Sequence, residues 1–228
     1  MRYLRLFGVA LVALCALGAV MAVSASALPT VLPESLKGYT GKNQGNTKLE
    51  KQGAIATVEC KAAKGEGTLE ANHHLGLYHI TFEKCEGGGG ACTGLGDAAG
   101  SILSLGSYHL VYDTLKATLA EAGVAILFLV DNVHFVCNTL IGEVLVVVAL
   151  GGMVLCLIVH PTELTKVFLF ECNEGAKDHP AETKYYNEAG TLVSISPLLS
   201  SENEGANTEG AQVGFGTTEY SEAALLML

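Results

Sequence analysis

Arginine is almost absent from this 228-residue sequence. The two arginines are Arg2 and Arg5 at the N-terminus, and the other 11 strongly basic residues are lysines. A protein that binds nucleic acid needs a basic stripe to neutralise phosphates, and arginine is the preferred partner of phosphates and carboxylates. The sequence therefore predicts no nucleic-acid partner and disfavours phosphoryl-transfer chemistry.

Charge of either sign is also scarce. Charged residues make up 16% of the chain and hydrophobic residues 50%, with 23 acidic residues against 13 basic ones. Disordered chains are poor in apolar residues and rich in charge, and no sustained heptad indicates a coiled coil. We expect a folded, acidic protein that is long enough for one domain with a sizeable core.

The N-terminus has the pattern of a secretory signal peptide. Arg2 and Arg5 precede an uncharged apolar run over 6–23, and small residues occupy 25–27. Small residues at these positions are what a signal peptidase reads. We predict a signal peptide over 1–27, cleavage after Ala27, and a secreted or cell-surface protein. The alternative is an uncleaved membrane anchor.

The cysteines predict a disulfide framework. An even number of cysteines in an exported chain indicates paired thiols, and no pair is spaced closely enough to suggest a metal site. We expect a bridge between Cys85 and Cys92, because the flexible Gly-rich segment 86–91 separates them. The remaining four cysteines allow three pairings. Apart from Cys15, which leaves with the signal peptide, the cysteines are Cys60, Cys85, Cys92, Cys137, Cys156 and Cys172.

One of these pairings depends on how two strands lie. If Cys156 and Cys172 were on adjacent strands of a hairpin with its loop near Glu163, Cys156 would face about residue 169. Cys172 would then be out of register for a bridge. A Cys156–Cys172 bridge would therefore require strands that are not direct neighbours.

The pattern after the leader is that of an all-β protein. Residues 28–53, rich in Gly, Asn and Lys, are interpreted as a lead-in linker, and 54–228 as a single β-rich domain with an acidic C-terminal part. Asp113 could cap one short helix over 114–120. Short β-type runs predict an antiparallel sandwich or barrel of about ten strands. The candidate runs are 54–60, 75–82, 101–105, 108–112, 124–130, 133–137, 144–150, 153–159, 166–172, 183–186, 191–196, 212–215 and 223–228.

The most apolar stretch predicts a hairpin. Seven apolar residues at 144–150 and seven at 153–159 flank Gly151-Gly152, and paired glycines suit a two-residue turn. A transmembrane helix is the alternative, although 16 residues would span only about 24 Å of a hydrocarbon core of about 30 Å. Continuous apolar runs here and at 124–130 predict burial on both faces.

The sequence nominates no catalytic, metal-binding or cofactor-binding residue. His73 and His79 would share a strand face but lie about 20 Å apart, too far to bind one ion, and His74 points the other way. His109, His134 and His160 are isolated. The glycines of Gly94–Gly100 imitate a dinucleotide loop with the wrong spacing, and no hydrolase, zinc or nucleotide motif occurs.

Several short motifs together resemble a family of secreted, cysteine-paired, β-rich bacterial proteins of unassigned function. The motifs are Ile80–Cys85, Cys92-Thr93, Phe135–Cys137 and Gly152–Leu155 leading to Ile158–Pro161. The resemblance implies an exported all-β domain with no known cofactor. Cysteine is unusual at positions 156 and 172 of that pattern, which implies a Cys156–Cys172 bridge and leaves Cys60 with Cys137.

These observations predict a non-catalytic secreted or cell-surface domain with a structural or binding role. Its partner would be a cell-surface component or a small apolar ligand. One alternative is a carrier, because a barrel of about eight strands can enclose a small molecule. The other is a membrane-embedded protein that uses residues 144–159.

Overall fold

The structure is a computed structural model, and every regular element that it describes is a β-strand. This confirms the predicted all-β class. The helix predicted over 114–120 lies outside the described residues. The structure describes residues 28–51, 57–72, 74–113, 123–131, 133–138, 144–150, 152–159, 164–174, 184–187, 190–195, 199–202 and 208–227.

Fifteen strands are described, against the roughly ten expected, because strands also form at 30–32, 38–51, 90–94 and 199–202, where none was expected. Two of the described strands, 101–113 and 208–227, each contain two of the predicted ones. The strands are β1 Thr30–Leu32, β2 Gly38–Lys51, β3 Val58–Thr68, β4 Leu75–Gly87, β5 Gly90–Gly94, β6 Ser101–Asp113, β7 Val124–Val130, β8 Val133–Asn138, β9 Val144–Leu150, β10 Gly152–Val159, β11 Thr165–Glu174, β12 Lys184–Tyr186, β13 Leu192–Ser194, β14 Leu199–Glu202 and β15 Thr208–Met227.

Eight of the strands close into an antiparallel barrel. The order around the ring is β2, β3, β4, β6, β7, β10, β11 and β15, and β15 pairs with β2 to close it. Each strand follows its neighbour in chain order, as in an up-and-down barrel. Strands β5, β8, β9 and β14 form a side sheet that runs from the end of β4 to the start of β15. The fold is thus a barrel rather than a sandwich.

The segment interpreted as a linker is part of the barrel. Gly38–Lys51 pairs with β3 on one side and with β15 on the other. Ahead of it, Leu28, Val31 and Leu36 are buried in the core at one end of the barrel. The linker prediction was wrong because the hydrogen bonds and burial that neighbouring strands supply, rather than the segment's own composition, make it a strand.

The predicted hairpin at Gly151-Gly152 was also wrong. Strands β9 and β10 have the expected extents, but β9 pairs with β8 and β14, whereas β10 pairs with β7 and β11. The pairs Val130↔Gly152 and Val133↔Ala149 share one register. The β7–β10 ladder in the barrel and the β8–β9 ladder in the side sheet therefore continue one another.

Strand β7 is buried on both faces, as its continuous apolar run predicts. Phe128 faces the barrel interior, whereas Leu127 packs on the outer side in a cluster with Tyr185. The outer side is covered because β12 pairs with β6 and carries Tyr185 over the wall. Within the described ranges, no helix is long and apolar enough to cross a membrane.

Three disulfides join directly opposed residues of neighbouring strands. The bridge Cys156–Cys172 is confirmed, with the two Cα atoms 4.2 Å apart. It links adjacent strands β10 and β11, whose register places Cys156 opposite Cys172. The expectation that these strands would not be neighbours was wrong, because the ladder is centred on Leu164 and not on Glu163.

The other two predicted pairings were wrong. The bonds are Cys60–Cys85, between β3 and β4, and Cys92–Cys137, between β5 and β8. A turn at residues 88 and 89 joins β4 to β5, but the ladder between them ends at Glu86↔Ala91. Beyond this pair β5 joins the side sheet. Cys85 therefore bonds to Cys60 on β3, and Cys92 bonds to Cys137 on β8.

Candidate binding cavity

Large aromatic rings fill much of the barrel interior, and four of them lie over a glycine of the neighbouring strand. Tyr39 is opposite Gly67, and Phe170 is opposite Gly216. A Cβ atom at either glycine would overlap the facing ring. Glycine is therefore required for close packing at these positions, in the manner of aromatic rescue of strand glycines. Tyr78 over Gly106 and Tyr108 over Gly76 repeat the arrangement.

A cavity remains among these rings. It offers about 70 Å³ to water-sized molecules, and most of its lining is apolar. Since one water needs roughly 10–15 Å³ on this measure, the space suits a ligand rather than a single solvent molecule. The main lining residues are the aromatic Tyr39, Tyr78, Phe82, Phe128 and Phe170, the aliphatic Ala63, Ile80 and Val130, and the small polar Thr47, Ser104 and Thr218.

The cavity exists because glycines occupy interior positions on facing strands. Gly41 of β2 is the direct cross-strand partner of Gly65 of β3, and both line the cavity. Gly214 and Gly216 of β15 line it from the next strand. The Phe170 ring covers Gly216, whereas Gly41 and Gly65 add no side chain to the cavity wall, where a filled eight-stranded barrel would have one.

A bulge in β2 lies at the rim of the cavity. The ladder between β2 and β3 is interrupted between Lys42 and Thr47, where Gly45 has a φ of +83°. The Asn43 side chain repairs the gap, since its Oδ1 accepts a hydrogen bond of 2.7 Å from the Ala63 amide. Lys42, like Lys64, is exposed and lines the cavity. The cavity therefore meets solvent through this part of the wall.

Buried hydroxyl groups supply the polarity of the interior. Tyr78 and Ser104 are buried, and their oxygens lie 3.5 Å apart. Burial raises the pKa of Tyr78 to about 12, while the hydrogen bond from Ser104 partly offsets the rise. Burial raises the pKa of Tyr39 and of Tyr220 still further. These tyrosines are neutral at physiological pH.

We expect alkaline unfolding that follows from the buried tyrosines. The pKa of Tyr78 is about 12 in the folded chain against 10.0 ordinarily. The contribution of this tyrosine to the free energy of unfolding, about 3 kcal/mol, is therefore fully present below pH 10 and is lost as the pH rises toward 12. Absorbance at 295 nm and circular dichroism should show Tyr78, Tyr39 and Tyr220 ionising only as the barrel unfolds. Ionisation of every tyrosine near pH 10 in a folded chain would contradict this.

The histidines do not come together at the cavity. His79 points outward from β4, and its Nδ1 lies 3.7 Å from Oε1 of Glu66. His134 is exposed on β8, in the side sheet. His73 and His160 lie outside the described residues. Among the residues that the structure describes, no group of three His, Cys, Asp or Glu side chains could hold a metal ion.

The sequence reasoning missed the cavity and its lining. One signal was present: glycines two residues apart, as at Gly65 and Gly67 or Gly214 and Gly216, lie on one face of a strand. Such spacing marks a face without side chains. It does not show whether rings from other strands fill that face, which depends on the register of the closed barrel.

Comparison with known proteins does not add to this description. No protein-family model matches the chain, and neither a curated protein nor a solved structure is significantly similar to it.

Proposed function

We propose that the protein is a non-catalytic, exported β-barrel domain that binds a small apolar ligand inside the barrel. The observation that carries this proposal is the aromatic cavity beside the facing pair Gly41 and Gly65. Ligand sites are typically concave and mainly apolar, with a few placed polar groups. The lining hydroxyls of Ser104 and Thr218 provide such groups, and a neutral hydroxyl favours binding over acid–base chemistry.

Export is the second part of the proposal. Three disulfides are consistent with an oxidising, extracellular location. We propose that residues 1–27 direct the chain out of the cell and are removed after Ala27. The resemblance to secreted bacterial proteins agrees with this location, and it stays a prediction.

The cavity limits the size of the ligand. A volume of about 70 Å³ on the scale of water-sized molecules corresponds to roughly five to seven non-hydrogen atoms. A single ring or a short branched chain meets this limit. A long fatty-acid chain exceeds it.

Filling the cavity should abolish binding. Ala63 is buried at the cavity wall, so Ala63→Leu would place three more carbons in the open space. We expect the affinity for toluene, measured by NMR titration of the mature chain, to fall more than about tenfold. Filling the cavity should at the same time raise the free energy of unfolding by about 1 kcal/mol.

The neighbouring alanine provides a matched control. Ala62 is opposite Glu83, whose carboxylate bonds Lys64 on the outer surface. Ala62→Leu should therefore leave toluene binding within about twofold of wild type. The proposal fails if wild-type protein does not bind toluene saturably, or if Ala63→Leu binds it as wild type does.

A further inference from the structure

The cavity has one pair of hydroxyl groups set among apolar side chains. Tyr78 and Ser104 line it with 5% and 7% of their surface exposed, and they lie on adjacent strands β4 and β6. Around them the lining is supplied by residues such as Ile80, Phe128 and Phe170. An oxygen atom of a ligand at this point would meet two hydroxyl groups, whereas the other buried lining residues with a hydroxyl, Thr47 and Thr218, each carry a single one.

The two hydroxyls satisfy each other poorly. Their separation of 3.5 Å is well beyond the 2.7–2.8 Å at which hydroxyl–hydroxyl hydrogen bonds are usually found. Each hydroxyl can both donate and accept, so the pair retains hydrogen-bonding capacity in a buried place. A ligand hydroxyl that accepts from one and donates to the other would use that capacity.

The charges of the site lie at its rim. Lys42, Lys64 and Glu66 are exposed lining residues, and Lys64 is bonded to Glu83. A charged ligand buried deeper would lose its hydration without gaining a charged partner there. The interior therefore favours a neutral molecule.

The geometry points to a ligand of a particular class: an uncharged molecule with one ring and one hydroxyl group, of the phenol type. Its ring would lie among Phe128 and Phe170, and its hydroxyl would bridge Tyr78 and Ser104. Phe128 contacts Tyr78 edge-on, with ring centroids 5.0 Å apart, and lies 6.2 Å from Phe170. This assignment rests on the proposed function, because it concerns the same cavity.

Phenol and toluene test the assignment, since they differ only by a hydroxyl in place of a methyl group. Both are titrated by NMR into the mature wild-type chain and into the double variant Tyr78→Phe, Ser104→Ala. We expect the variant to weaken phenol binding about tenfold, as the loss of one or two neutral hydrogen bonds predicts, and to leave toluene binding within about twofold. Ser107→Ala, on the same strand but half-buried on the opposite face, is the control and should change neither.

The outcomes separate the two proposals. If wild-type protein binds neither probe, the proposed function fails, and this inference fails with it. If toluene binds but the double variant leaves phenol binding unchanged, or weakens both probes equally, only the assignment of a hydroxyl ligand is overturned. If the double variant does not fold, contacts observed by NMR from bound phenol to Phe128 and Phe170 support the placement, and their absence overturns it.

Discussion

Replacing Gly67 with alanine should lower the free energy of unfolding by about 3 kcal/mol, at the upper end of the usual cost of overpacking. A Cβ at Gly67 would overlap the ring of Tyr39, which is partly buried and packs against the aromatic core. The ring cannot move aside freely, because it also contacts the ring of Tyr220 at a centroid distance of 5.8 Å. Denaturant unfolding followed by circular dichroism measures the effect.

Two further variants show whether the ring causes the loss. Tyr39→Leu removes the clashing atoms. The double variant Gly67→Ala, Tyr39→Leu should therefore lose less free energy of unfolding than the two single variants lose together, by at least about 2 kcal/mol. Gly41→Ala is the matched control, since its Cβ would come no closer than 3.3 Å to the Thr217 carbonyl oxygen. The packing of Tyr39 on Gly67 would be contradicted if the two single losses of stability simply added in the double variant. It would also be contradicted if Gly41→Ala lowered the free energy of unfolding as much as Gly67→Ala does.

Removing the bridge between Cys92 and Cys137 should have the largest effect of the three disulfides. This bridge closes 45 residues, against 16 for Cys156–Cys172. In the chain-entropy description the two losses are about 4 and about 3 kcal/mol. Paired alanine variants of each bridge, unfolded in denaturant, should follow that order.

Peptide mapping provides the check on connectivity. Digestion of the oxidised mature chain should release a peptide with Cys92 joined to one with Cys137. A bridge within the hairpin, between Cys85 and Cys92, would contradict the structure, as would a Cys92, Cys137 double variant as stable as wild type.

The apolar strands were predictable because their own residues determine them. Val124–Val130 and Val133–Asn138 are rich in β-branched and aromatic residues, and their observed extents match the sequence pattern closely. Strand β2 was missed, since its polar, glycine-containing sequence becomes a strand only when β3 and β15 pair with it. Its order is a property of the closed barrel rather than of the segment.

The two apolar runs at 144–150 and 153–159 show the limit of periodicity. Seven apolar residues lie on each side of Gly151-Gly152, and this symmetry fits a reversal of the chain as well as a passage between two sheets. The register with β7 and β8 decides between them, and that register depends on distant strands. The same is true of Cys85 and Cys92, which are close in sequence but bond to strands beyond their own hairpin.

The cavity depends on register even more strongly. Gly41 and Gly65 leave an opening only because the β2–β3 ladder sets them face to face. A slip of β3 by one residue would turn that strand over and put Lys64 and Glu66 inside. The sequence pattern therefore predicts an all-β sandwich or barrel, but it does not indicate which side chains the interior lacks.

The most direct measurement is a crystal structure of the mature chain after exposure to toluene. We expect electron density for one ring inside the barrel, in van der Waals contact with Phe128 and Phe170, and an otherwise unchanged wall. A barrel whose interior is fully occupied by side chains, with toluene only on the outer surface, would contradict the existence of a binding cavity.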